Sequence, residues 1–213
     1  MEHSFSGSTR PPLSCGKAKY LVVLLHGAGS SADEIIDLSL EWAPTLNKAE
    51  FLAPELPWPP RTDGLEGSGP SPVREAGMVE GLRRYLEAAL AAKRLKHAQL
   101  ALVGFAEGAG LALALGTGQA DPLGAVVAVG PGARPWPEPV GAARPPGPTL
   151  LVSTHTGPEA PATDWRETLK ELQSAGIAAE YLEAPGDYFG LDDQGLARIA
   201  DYLHAHIAQS NPA

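Results

Sequence analysis

GFAEG, Gly104–Gly108, is the stretch on which the fold turns. The apolar run QLALV, Gln99–Val103, precedes it and AGLALALG, Ala109–Gly116, follows, so the order is strand, tight turn, helix. A turn of this kind presents its central residue at the end of a sheet, and in a Gly-x-Ser-x-Gly elbow that residue is a nucleophilic serine. Here it is Ala106, which has no hydroxyl.

On both sides of the elbow, apolar runs alternate with amphipathic segments. YLVVLL, Tyr20–Leu25, has the composition of a buried strand, and a second short strand is expected near Phe51. Ser31 and Glu34 are spaced as a capping box that starts a helix. In residues 73–95, Met78, Leu82, Tyr85, Leu86, Ala89 and Leu90 recur at helical spacing and form a core face. Further strands are expected at 125–129, 149–152 and 177–182, with helices at 164–175 and 192–206. This βαβα order predicts one α/β domain over 20–213, a mostly parallel sheet with helices on both faces, preceded by a polar leader over 1–19. In such a sheet ligands bind beyond the carboxyl ends of the strands. Two proline-rich stretches, 53–72 and 131–148, begin just after strands and so belong to that end.

Composition narrows the function classes. A chain of 213 residues with 44% hydrophobic residues is long enough for one full core. The formal charge of −9 argues against a nucleic-acid partner, and no apolar run reaches the length of a membrane span. The N-terminus lacks the charged-then-apolar order of a signal peptide, which makes the cytoplasm the default compartment. Cys15 is the single cysteine, so no internal disulfide can form. No metal motif or cofactor fingerprint is present, leaving a small acyl or aromatic ligand or a protein partner as the candidates.

LVVLLHGAGSSADE (Leu21–Glu34), FLAPELP, GFAEGAG and PGDYFGLDDQGLARIADYL together resemble the phospholipase/carboxylesterase family of α/β-hydrolases, which includes bacterial carboxylesterases and acyl-protein thioesterases. The resemblance runs from about Tyr20 to His206. It implies a Ser, Asp, His triad in that chain order. The serine position is Ala106; in STHTGPEAP, Ser153–Pro161, Gly157 stands where the family has its aspartate; in PGDYF, Pro185–Phe189, Phe189 stands in the place of the histidine. The resemblance also implies an oxyanion hole made of the backbone amides of Ala28 and Glu107. It predicts that Phe189 packs near Ala106 and turns a polar corner apolar.

Two readings follow. One is a non-catalytic protein of the hydrolase fold, binding through a cleft whose candidate lining is His26, Trp58, Phe105, Trp136, His155 and Tyr188. The other is a serine carboxylesterase or thioesterase, either with its nucleophile deliberately changed to Ala106 or with a rearranged site. A knockout needs one substitution only. Three substituted positions fit a natural loss of the triad. His26 lies in the HG turn after the first strand, where a histidine shapes backbone more often than it does chemistry. His155 with the hydroxyls around it, and Asp187 beside Tyr188, read as ordinary loop polar residues.

Overall fold

The computed structural model describes residues 5–58, 72–117, 121–130, 147–154, 165–186 and 188–208. Its seven strands are β1 (Gly7–Arg10), β2 (Tyr20–Leu25), β3 (Ala49–Pro54), β4 (Leu100–Phe105), β5 (Ala125–Gly130), β6 (Thr149–Ser153) and β7 (Ala179–Glu183). They form one sheet in the order β1-β3-β2-β4-β5-β6-β7, with every pair parallel except β1 and β3. The helices are α1 (Ala32–Ile35), α2 (Leu38–Trp42), α3 (Pro72–Lys93), α4 (Glu107–Thr117), α5 (Trp165–Ser174) and α6 (Asp193–Leu203).

Strand geometry sends alternate side chains to opposite faces, which divides the core in two. Tyr20, Val22 and Leu24 of β2 join Ala101, Val103 and Phe105 of β4 in a cluster closed by Trp42 of α2 and by Ile199 and Leu203 of α6. Leu21, Val23 and Leu25 meet Leu100 and Leu102 in a second cluster, closed by Leu82 and Leu86 of α3, Leu111 of α4 and Trp165 of α5. The central strands are buried on both faces, as parallel sheets require. The apolar positions foreseen on α3 form its core face: Met78, Leu82, Leu86 and Leu90 are buried, with Tyr85 and Ala89 packed alongside. Ser31 caps α1 as its spacing predicts, accepting from the Glu34 amide while the Glu34 carboxylate accepts from the amide of Ser31.

Part of the stretch read as a leader belongs to the sheet. Gly7–Arg10 pairs antiparallel with β3, and Phe5 just before it is buried with its ring 5.7 Å from that of Tyr85. The backbone ladder of an edge strand does not depend on an apolar pattern, and GSTR supplies none. The last strand also begins at Ala179 rather than Ile177.

Tyr202 of α6 is buried, and its hydroxyl has no hydrogen-bond partner among the described residues. Burial, with a smaller contribution from Glu180, raises its phenol well above the ordinary value of 10.0. The fold therefore holds the neutral form. This contribution to stability is complete below about pH 10 and is lost as the pH rises beyond it, because the unfolded chain ionises first. Tyr202→Phe should raise stability near neutral pH by about 1 kcal/mol, by removing an unsatisfied polar group, and should flatten the alkaline loss. Urea melts of both proteins from pH 7 to 11 measure this.

Candidate functional site

The elbow forms because three chain segments meet too closely for side chains. A Cβ on Gly104 would stand 2.1 Å from the carbonyl oxygen of Gly108, and one on Gly108 would stand 2.2 Å from that of Leu25. Both glycines are thereby fixed by backbone contact. Between them Ala106 is held at φ 50°, a left-handed conformation that costs an L-residue about 1–2 kcal/mol. Its amide donates to the Val129 carbonyl at 2.9 Å and its carbonyl accepts from Ala109 at 3.0 Å, so both backbone groups are used. The methyl group of Ala106 is exposed at the carboxyl end of β4.

Beside it lies the turn after β2. Ala28, one of the two expected oxyanion donors, gives its amide to Oε2 of Glu107 at 3.0 Å. The same oxygen lies 2.7 Å from where a Cβ on Gly27 would be, and the Cβ of Ala106 lies 2.8 Å from that point. Glu107 is half-buried and turned inward, across the turn and next to Ala106, rather than out to solvent. The chain's own carboxylate thus takes the amide that the resemblance assigns to an oxyanion hole. Lacking a side chain, Gly27 leaves room for this contact.

His26 is 1% exposed. Its Nε2 accepts from the Leu56 amide at 3.0 Å and its Nδ1 lies 2.9 Å from the Gly27 carbonyl oxygen, a pairing that the neutral tautomer with hydrogen on Nδ1 satisfies. Its own carbonyl accepts from the indole N–H of Trp58 at 2.9 Å. His26 and Trp58 therefore fasten the exit of β2 to the exit of β3. Both act through backbone, and Trp58 is half-buried in that role.

Phe189 sits at the first central position of a tight turn. Tyr188 and Leu191 exchange backbone hydrogen bonds of 3.2 and 2.9 Å, while Phe189 at φ 51° and Gly190 at φ 79° have the paired positive angles of a type I′ turn. A bulky side chain is seldom held at such an angle. The Phe189 ring packs edge-on against Phe105 at 5.9 Å and against Tyr188 at 5.0 Å. It reaches the neighbour of Ala106 and leaves Ala106 itself open. Phe105 is a core residue, 5% exposed, whereas Tyr188 is 42% exposed. The Tyr188 phenol is pushed above its ordinary value by burial and further by Asp37 and Glu41. A Cβ on Gly190 would stand 3.1 Å from Thr154, so the turn carrying Phe189 abuts the residue that follows β6. Trp136, His155, Gly157 and Asp187 lie outside the described residues. The Glu107 contact with Ala28 was not legible in the sequence, because the two residues are 79 apart and only the parallel pairing of β2 with β4 joins them. Among the described residues, no group of His, Cys, Asp and Glu could hold a metal ion, and no helix is long and apolar enough to cross a membrane.

No family model matches the sequence, and no curated protein matches it. Solved structures do. The esterase PE8 superposes with a TM-score of 0.80 at 28% identity, over 96% of this chain and 100% of that one. A phospholipase/carboxylesterase from Dyadobacter fermentans gives 0.72 at 20% identity, over 94% and 98%, and SOBER1 from Arabidopsis thaliana gives 0.68 at 18% identity, over 88% and 99%. The protein has the α/β-hydrolase fold. Within that fold it resembles the carboxylesterases and phospholipase/carboxylesterases.

The elbow's backbone contacts predict opposite effects at the two positions on either side of Glu107. Gly108→Ala should lose about 3 kcal/mol or more, or fail to fold, since a backbone oxygen cannot yield as a flexible side chain can. Ala106→Gly should gain up to about 1 kcal/mol by relieving the left-handed angle. Guanidinium titrations compare both with the parent.

Proposed function

We propose that this protein is a non-catalytic relative of the carboxylesterases, a binding protein whose ligand, small and aromatic or acyl in character, or a protein partner, contacts the elbow end of the sheet. The observation that carries the reading is the Glu107 carboxylate on the Ala28 amide beside a methyl group at the nucleophile position. Ester hydrolysis of the triad type needs three things here: a hydroxyl to attack, a base to take its proton, and free N–H donors for the oxyanion. Ala106 offers no hydroxyl and Phe189 no base. One amide is occupied by negative charge, which repels a developing oxyanion rather than stabilising it. The strained elbow is retained without its nucleophile, which suits a surface kept for binding. Around it Phe189 and Tyr188 offer aromatic edges to an apolar ligand.

The test is graded restoration. Ala106→Ser alone should give no more than weak hydrolysis of a short-chain aryl ester, far below the roughly thousand-fold gain over water that binding and an intact oxyanion hole supply in triad enzymes. Adding Gly157→Asp and Phe189→His should raise turnover modestly, since the supporting contacts are missing as well. The parent should take no label from a fluorophosphonate. Robust turnover by the single variant, or labelling of the parent, would return the protein to the esterases.

A further inference from the structure

A cavity of about 720 Å³ opens at the other end of the sheet, where the parallel strands begin. Its walls are the segment 11–19, the end of α3 and the turn into β4, with Lys17, Lys19, Lys93 and Arg94 among the lining residues. Glu50 is the one carboxylate there, and it is engaged by Lys93 at 2.6 Å. Lys17, Lys19 and Arg94 have no acidic partner among the described residues. In a chain of formal charge −9, this is a local surplus of positive charge.

Backbone hydrogen bonds fix the groove in place. Ser14 donates to the Asn47 carbonyl at 2.8 Å and Lys19 to that of Lys48 at 3.0 Å, pinning the lysine-bearing segment at both ends. The side-chain amide of Gln99 holds the Lys19 carbonyl at 2.7 Å. Opposite, α3 ends in a Schellman motif: Leu95 donates to the Leu90 carbonyl at 2.9 Å and Arg94 to that of Ala91 at 3.1 Å. Arg94 takes the left-handed position of that motif at φ 58°, where glycine is the usual occupant. The motif sets Arg94 at the rim of the cavity, on the side facing the segment that carries Lys17 and Lys19.

We propose that this groove binds a small soluble polyanion of the diphosphate type, at a site separate from the elbow. The guanidinium of Arg94 suits bidentate capture of phosphate oxygens, with Lys17 and Lys19 as the facing charges. Proline and leucine walls, Pro11, Pro12 and Leu95, accommodate an apolar body attached to the phosphates. The volume is that of a small-molecule site, and the net negative charge of the chain opposes adsorption to an anionic bilayer. Gln99 and Ala106 bound β4, which puts the groove roughly 20 Å from the elbow along an extended strand.

Calorimetric titration of the full chain with pyrophosphate at low ionic strength tests the site. Saturable binding is expected, weakened about tenfold or more by the paired change Lys17→Glu and Arg94→Glu. Arg94→Gly should weaken binding while raising Tm, a split that a purely structural arginine would not produce. Absence of saturable binding in the parent, or equal binding by the variants, overturns the proposal. Adsorption to phosphatidylglycerol vesicles without pyrophosphate binding overturns it too.

Discussion

The carbonyl oxygen of Leu25 and the backbone of Gly108 stand so close that no side chain fits between them. That contact presses the first turn of α4 onto the exit of β2, and the geometry of the whole elbow end follows. With α4 seated there, the chain leaving β4 must reverse within a single residue. Ala106 makes that reversal at a left-handed angle, φ 50°. The same seating brings Glu107, at the start of α4, within hydrogen-bond reach of Ala28. The backbone shape of this site and its side-chain chemistry are therefore separable features.

That separation means the elbow keeps its shape whatever side chain stands at position 106. Nothing in the packing of β2, β4 and α4 depends on a serine hydroxyl, since the constraints are backbone oxygens and missing side chains. His26 illustrates the same point from the other side. A histidine beside a hydrolase elbow invites a catalytic role, yet its Nε2 accepts from the Leu56 amide and ties the exit of β2 to that of β3, while its Nδ1 faces the carbonyl of the next residue, Gly27. Phe189 keeps a tight positive-φ turn in which the resemblance expects an imidazole, and its ring is absorbed by Phe105 and Tyr188.

Among the described residues, charge is distributed unevenly between the two ends of the sheet. Glu107 lies at the elbow, and Asp37 and Glu41 act on the exposed Tyr188 beside it, whereas Lys17, Lys19, Lys93 and Arg94 line the cavity at the starts of the strands. A ligand carrying clustered negative charge meets attraction at one end and repulsion at the other.

The alternation of strands and helices, the core face of α3, the capping box at Ser31 and the place of the elbow were all legible in the chain. Each is written in local periodicity or in the spacing of a few neighbouring residues, and local patterns survive without knowledge of the partner. Absence of a hydroxyl at Ala106 and of an imidazole at Phe189 was equally legible, because it is a matter of residue identity. Tertiary structure alone decided that Gly7–Arg10 is a strand, since its polar side chains carry no pattern and its order comes from pairing with β3. It alone decided that His26 is spent on backbone, that Glu107 covers Ala28, and that Lys17 and Arg94 line one cavity. Those facts join residues tens of positions apart, and only the order of strands in the folded sheet sets the distances between them.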